Sequence, residues 1–240
     1  MKKCFVRLLW LSLLCAAAPA FADVNVDEVL RQLDLQGKEV EKSLLVQKPL
    51  PDSEGLSVVV VPVIHPQEEP EVEIYDAYIL LAKEDGRITH KFYQAEAWVS
   101  DAIALARISI DTAPYLLNAQ TRAFGVRVHS EHISQAIPFE GETISLFVPR
   151  RNTLQKVLND YEIYSGHGEF GFNGGSCEGY HTETKGGLVL SNQQTNGYND
   201  IIVRKTITDR VVTLRGEACH EKEIKSKTSQ RLRFVKGAYR

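Results

Sequence analysis

The sequence predicts a mainly β protein of antiparallel sheets, sandwich-like or propeller-like, with two short helices. The β-branched run at 56–61 is typical of a buried strand. Phe124, Val126 and Val128 alternate with polar residues, as in a half-buried strand. Turn signals separate such runs, and Asp85-Gly86 between two of them indicates a β-hairpin.

Two helices are predicted from capping residues and helical spacing. Asn25, followed three residues later by Glu28, resembles a capping box and opens a short N-terminal helix that runs up to Gly37. Asn152 can cap a second short helix over 152–159, because Leu154, Val157 and Leu158 have helical spacing. The remaining strand-like runs are 72–82, 87–93, 104–110, 122–129, 143–148, 187–190, 201–203 and 211–214.

The first 22 residues have the pattern of a secretory signal peptide. A basic start and a short apolar core precede Ala20-Phe21-Ala22, so cleavage is expected between Ala22 and Asp23. The apolar core and every later stretch fall short of the roughly 20 residues of a transmembrane helix, so no such anchor is predicted. Leu13-Leu14 before Cys15 disfavour a lipoprotein. The predicted location is the periplasm.

Cleavage would leave Cys177 and Cys219 in an oxidising compartment, which predicts one disulfide. Two alternatives stay open from the residues alone. One is a thiol nucleophile with His167, His181 or His220 as its base. The other is a Cys/His zinc site, although no paired ligand spacing supports it.

The composition changes near residue 160, where a glycine-rich stretch begins that leads to both cysteines. This predicts a signal peptide at 1–22, an N-terminal β-rich domain at 23–158 and a C-terminal β-rich subdomain at 159–240, which contains the disulfide.

The charge is unevenly distributed. The leader holds three Lys or Arg and no Asp or Glu, so its removal takes the net charge from −3 to −6. General nucleic-acid binding is therefore disfavoured. Residues 220–240 hold seven Lys or Arg against two Glu. This basic end is either a solvated strand or a contact for an acidic partner, with Lys225, Arg231 and Arg233 as candidates.

The segment 192–200 resembles the calcium loops of integrin-type β-propeller blades, with Asn192, Gln194, Asn196 and Asp200 as candidate ligands. Only Asp200 is a carboxylate, and Ca²⁺ is held largely by negatively charged oxygens. The segment is therefore predicted to be a turn without metal. No cofactor is predicted.

Catalytic motifs give no clear enzyme class. The sequence has no Gly-x-Ser-x-Gly, dinucleotide fingerprint, phosphate-binding loop or His-Glu-x-x-His. Glu169 and Glu178 could act as a pair of glycosidase carboxylates, which keeps a cell-envelope hydrolase as an alternative.

Three motifs carry a family resemblance. Ser-Asp-Ala-Ile at 100–103, Ile-Ser-Ile-Asp-Thr-Ala-Pro-Tyr at 108–115 and Arg-Ala-Phe-Gly-Val-Arg-Val at 122–128 resemble a family of exported Gram-negative bacterial proteins with no assigned activity. The segment 197–201 is similar to blade ends of small periplasmic inhibitor proteins with a propeller-like fold. The expected function is non-enzymatic binding of a macromolecular partner, as an inhibitor or immunity protein. A calcium-dependent adhesion module is a further alternative.

Overall fold

The computed structural model describes residues 23–35, 39–66, 72–171 and 177–240. The predicted signal peptide and Gly37 lie outside the described residues. Within them the protein is mainly β, as the sequence predicts, and it has one short helix. The elements are α1 (Val26–Gln32), β1 (Val46–Pro49), β2 (Leu56–Ile64), β3 (Glu73–Lys83), β4 (Ile88–Ser100), β5 (Ala104–Asn118), β6 (Thr121–His132), β7 (Phe139–Arg150), β8 (Thr153–Phe170), β9 (Gly179–Thr195), β10 (Tyr198–Arg215), β11 (Ala218–Leu232), β12 (Phe234–Val235) and β13 (Ala238–Tyr239).

Eleven strands form one open sheet, which branches at β8. The main path runs β1-β2-β3-β4-β8-β7-β6-β5, and β9, β10 and β11 are added in turn beside β8. The described strands pair antiparallel, except for a single parallel contact between Lys91 of β4 and Thr153 of β8. The long strand β8 pairs with β7 from Thr153 to His167, whereas only its last part, Tyr164 to Phe170, pairs with β9. The branch therefore lies where β8 leaves the main sheet.

The main sheet rolls up around an inner core. Its two end strands approach each other, and Lys48 Nζ of β1 donates a hydrogen bond to the Ile110 carbonyl of β5 at 3.1 Å. Apolar side chains from alternate positions of β2, β3, β5, β6 and β7 fill the interior, as expected for strands with one buried face. The largest of these buried side chains are Phe124, Phe147, Ile79, Leu81 and Ile108.

The helix α1 packs on the outer side of β2 and β3, where Val29 joins Val59, Val61 and Leu80 in a second apolar cluster. The predicted cap is confirmed: the Glu28 N–H donates to the Asn25 side chain at 3.2 Å. The capping box is not completed, because Glu28 instead pairs with Arg31, and the Asn25 N–H donates to the Glu84 carbonyl of the β3–β4 hairpin.

A third cluster covers the outer side of β6, β7 and β8. It joins Leu146 and Leu158 of the main sheet to Ile201 and Val203 of β10 and to Phe234 of the terminal β12–β13 hairpin. This cluster attaches the base of β10 to the rolled sheet.

The helix predicted over 152–159 is wrong: these residues form a tight turn and the start of β8. Leu146 pairs with Leu158 and Phe147 pairs with Lys156, so Val157 is an extra residue in β8. Such a β-bulge breaks the alternation of a strand. Val157 and Leu158 are consequently both buried, together with Leu154, and their spacing imitates that of a helix.

The other predicted strands lie at the expected positions, but the observed strands are longer than the predicted runs. The runs 201–203 and 211–214 belong to a single strand, β10, and the basic segment after Cys219 is largely β11. The proposed boundary between residues 158 and 159 falls inside β8, which belongs to the main sheet before this point and after it. The division into two domains stays a prediction.

Candidate functional site

The strands β9, β10 and β11 form a three-stranded extension, which we call the arm. β10 lies in the middle and pairs with both neighbours along nearly its whole length. β11 pairs only with β10 within the described residues, and fourteen of its fifteen residues are exposed. Because successive side chains of a strand point to opposite faces, both faces of the arm are uncovered along β11.

The predicted disulfide joins Cys177 to Cys219, with the two Cα atoms 5.1 Å apart. It ties the segment that enters β9 to the beginning of β11, at the end of the arm away from the apolar clusters. Sulfurs bonded in this way are neither a thiolate nucleophile nor zinc ligands, which removes those two alternatives. Two of the candidate bases also lie on opposite faces of the sheet. His167 is opposite Thr182, and His181 is the residue next to Thr182 in β9, so its side chain points the other way.

One face of the arm is rich in basic side chains, and we call it the basic face. Lys227 of β11 is opposite Thr206 of β10, which is opposite Lys185 of β9. Arg204 of β10 lies in the next row on this face, beside Gly187, above which there is open space. The basic side chains of this face are Lys185, Arg204, Arg210, Lys225, Lys227 and Arg231.

Acidic neighbours neutralise only part of this face. Lys185 pairs with Glu183 at 2.8 Å, and Lys225 pairs with Glu223 at 2.7 Å. Arg204 and Lys227 are exposed and have no ion pair within the described part of the chain. Positive charge is therefore left in the part of the arm nearest the core.

The three basic residues predicted to contact a partner are only partly brought together. Lys225 and Arg231 lie on the basic face, six positions and roughly 20 Å apart along β11. Arg231 is held by a hydrogen bond to the Gln193 side chain. Arg233 lies beyond β11, where its backbone pairs with Arg240 at 2.8 and 3.0 Å. Lys185 and Arg204 come from other strands, so sequence position alone gave no signal for them.

The opposite face of the arm carries exposed apolar side chains, and we call it the apolar face. Its apolar residues lie in successive rows of the register, with Asp209 opposite Ile224 and Lys222 opposite Val211 on the same face. They are Tyr180, Val211, Ile224 and the half-buried Ile207. Tyr180 and Val211 are paired and are each 43% exposed, and Ile224 is 51% exposed. Ile207 and Val211 are four residues apart with Asp209 between them, so no apolar alternation in the sequence marked this face.

The candidate calcium segment is the β9–β10 hairpin. Asn196 and Gly197 have φ of 54° and 78°, as a two-residue type I′ turn requires. Asn196 donates to the Phe234 carbonyl and Gln194 donates to the Asn199 side chain, both at 2.9 Å. Asp200 is buried in a bulge, whereas Asn192 and Gln194 are exposed. The described residues contain no group of three or more His, Cys, Asp or Glu that could hold a metal ion.

The candidate acid and base residues do not form a recognisable catalytic site. Glu169 and Glu178 are both exposed, on either side of the β8–β9 connection. A His–Asp pair that the sequence analysis missed lies elsewhere: His65 Nδ1 is 3.0 Å from Asp76 Oδ1. The other nitrogen of His65 lies 3.6 Å from Glu96 Oε1, so it faces a carboxylate and not a hydroxyl or thiol.

No protein-family model, curated protein or solved structure matches this chain. The resemblance to exported Gram-negative proteins stays a prediction. Within the described residues, no helix is long and apolar enough to cross a membrane.

Proposed function

We propose that the protein is a non-enzymatic, exported binding protein whose arm binds an acidic protein partner in the periplasm, as an inhibitor or immunity protein does. The observation that carries this proposal is the exposure of both faces of a disulfide-tied arm. Contiguous exposed apolar side chains are typical of interaction sites, because a monomer gains stability by burying them. The signal-peptide pattern and the disulfide support export to an oxidising compartment.

The chemistry of the two faces indicates the type of partner. Tyr180, Val211 and Ile224 offer apolar area whose burial would drive association. Arg204 and Lys227 on the other face would attract acidic groups and raise the rate of encounter. A polyanion without apolar groups would use only the basic face, and the acidic remainder of the chain would repel it. A protein with an acidic surface and an apolar contact uses both faces.

The first experiment identifies the partner by photo-crosslinking from single positions of the full chain in periplasmic extract of the source organism. A photoreactive residue replaces Ile224 in one sample and Val99 in another, because both side chains are 51% exposed but only Ile224 belongs to the arm. We expect one abundant crosslinked protein from position 224 and none from position 99. Equal capture from both positions would contradict the proposal.

The second experiment measures affinity for that purified protein. Ile224→Glu is expected to weaken binding at least tenfold, and Val99→Glu less than twofold. The double variant Arg204→Glu, Lys227→Glu should slow association and reduce its dependence on salt. If the arm variants bind like the wild type, or if the captured partner is a polysaccharide, the proposed partner class is wrong.

A further inference from the structure

A cavity of about 340 Å³ lies at one end of the rolled sheet, apart from the arm. The loop between β1 and β2 covers one side of it, and parts of β2, β3, β4, β6 and β7 and the β5–β6 turn form the rest. Leu56, Leu81 and Pro149 give it an apolar lining, and Arg122, His90 and Gln120 contribute polar groups. An apolar concave site with a few polar groups is the usual composition of a small-molecule pocket.

Arg122 contributes its guanidinium to the lining of this cavity. On β6 it lies on the same face as Phe124 and Val126, whose side chains fill the inner core, because the three residues occupy alternate positions of the strand. Its Nη1 pairs with Asp52, and its Nη2 donates to the Thr112 carbonyl at 3.0 Å. Its Nε is buried and has no hydrogen-bond partner in the described part of the chain. A buried donor without a partner is costly. Because this N–H has almost no accessible surface, a ligand in the cavity can accept from it only if the guanidinium shifts when the ligand binds.

The ion pair between Arg122 and Asp52 is one in which a ligand carboxylate could take the place of Asp52. The Asp52 side chain is 84% exposed, whereas that of Arg122 is 19% exposed. An ion pair with a well-solvated carboxylate contributes little stability. A carboxylate supplied from inside the cavity could therefore replace Asp52 on the guanidinium, while Asp52 returns to water.

The second arginine at the cavity is already engaged. Arg150 Nη2 donates to the Tyr198 hydroxyl at 2.6 Å, and its Nε donates to the Gln155 side chain at 3.4 Å. Arg122 is thus the main cation that a ligand would meet. One planar guanidinium matches one carboxylate, whereas a doubly charged phosphate group favours more than one cation.

We propose that this cavity binds a small organic carboxylate with an apolar tail. Its carboxylate accepts hydrogen bonds from Arg122, and its tail lies against Leu56 and Leu81. The size of the cavity is at the small end of the range for ligand pockets, roughly 300–1,000 Å³, which indicates a short tail. This site is independent of the partner proposed for the arm.

Calorimetric titration of the full chain with straight-chain carboxylates from acetate to dodecanoate tests the proposal. Affinity should rise with chain length to an optimum and then fall when the tail outgrows the cavity. Primary alcohols of the same length should bind at least tenfold more weakly. A flat dependence on length, or equal binding of alcohols and acids, would overturn it.

Two variants test whether Arg122 binds the carboxylate of the ligand. Arg122→Gln should weaken binding of the best carboxylate at least tenfold. Arg107→Gln is the matched control, because Arg107 is 62% exposed and lies near Glu142 at 3.6 Å, away from the cavity. Full binding by Arg122→Gln, or the same loss in Arg107→Gln, would count against the site.

A second variant keeps the test decisive if Arg122→Gln does not fold. Asp52→Asn retains Arg122 but removes the competing carboxylate, and asparagine tolerates the φ of 58° found at this position. Binding of the carboxylate should then become several-fold tighter. Unchanged or weaker binding would show that Asp52 does not occupy the ligand position.

Discussion

Arg127 contacts Asp111 through two nitrogens: its Nη2 and Nε lie 2.6 and 3.0 Å from the same carboxylate oxygen. Its third nitrogen donates to Glu142 at 2.8 Å. Asp111 also accepts hydrogen bonds from the Ala113 N–H and the Tyr115 hydroxyl, both at 2.9 Å. The pairing of β5 with β6 is interrupted between Asp111 and Tyr115, so this network holds together an irregular part of the sheet.

Replacing Asp111 by Asn should reduce stability in a pH-dependent way. Burial raises the pKa of Asp111, but hydrogen bonds from the Ala113 N–H, Arg127 and Tyr115 outweigh burial and leave this pKa below its usual range. A lowered pKa stabilises the fold above the unfolded-state value, near 4, and this contribution is lost as the pH falls through the folded-state pKa. We expect Asp111→Asn to cost about 2 kcal/mol at pH 7.

Urea denaturation of both proteins from pH 7 to pH 2 measures this effect. The difference in unfolding free energy should narrow as the pH falls below about 4. Glu217→Gln is the control, because Glu217 is an exposed turn residue. A difference that stays constant over the whole pH range would mean that the carboxylate charge of Asp111 is not what stabilises the network.

Removing the disulfide should loosen the arm before the rolled sheet. The bond closes a loop with a sequence separation of 42 residues, for which the chain-entropy model gives roughly 4 kcal/mol. In the variant Cys177→Ser, Cys219→Ser, amide hydrogen exchange should become faster in β9, β10 and β11, because the arm has few buried contacts. β2 and β3, whose side chains are buried on both faces of the sheet, should change least.

Hydrogen exchange followed by mass spectrometry checks this expectation. Treatment of the wild-type protein with a reductant should reproduce the change, and the same treatment should not affect the double variant. An equal increase in exchange throughout the chain would show that the arm and the rolled sheet open as one unit.

The sequence predicted strands well where their side chains are buried against a core. The run 56–61 and the alternation of Phe124, Val126 and Val128 follow directly from such burial. The prediction failed at Val157 and Leu158, because a bulge places two consecutive residues in the interior. Bulges depend on the partner strand, which a single sequence does not reveal.

The arm was predicted only in fragments for a related reason. The far parts of β10 and β11 face water on both sides, so their side chains lack the apolar alternation that marks a half-buried strand. The basic residues near the C-terminus were recognised as a possible contact, but Lys185 and Arg204 join them only through strand pairing. The cavity around Arg122 likewise joins distant segments, whose proximity no local pattern indicates.

The bulge in β8 leads to a test at two adjacent residues. Leu158 is 2% exposed and packs in the third cluster, on the outer side of β6, β7 and β8, whereas Asn159 is exposed. Leu158→Ala should cost about 3 kcal/mol, because it removes buried methyl groups and leaves a cavity. Asn159→Ala should change stability by less than about 0.5 kcal/mol.

Chemical denaturation of the two variants measures these free energies. Without the extra residue at Val157, strict alternation from Leu154 would turn Asn159, and not Leu158, toward the third cluster. A larger loss from Asn159→Ala than from Leu158→Ala would therefore contradict the register of β8.

Gly86 should be the glycine at which an added methyl group is most harmful to α1. It has a φ of +86°, and a Cβ built on it lies 2.5 Å from the Asn25 carbonyl and 2.7 Å from Glu28 Cβ. Gly216 also has a positive φ, +64°, but a Cβ there meets nothing within 4 Å. Both Gly→Ala changes carry the cost of a left-handed backbone, roughly 1–2 kcal/mol. Only Gly86→Ala also pushes the helix away from the hairpin.

The contact at Gly86 matters because it joins the helix to the sheet. Gln32 Nε2 donates to the Gly86 carbonyl at 2.9 Å, and Val29 beneath the helix is fully buried. We therefore expect Gly86→Ala to lower the melting temperature more than Gly216→Ala, and limited proteolysis to cut first within α1. If both variants lose the same stability and α1 remains protected, close packing of the helix on Gly86 does not contribute to the stability of the fold.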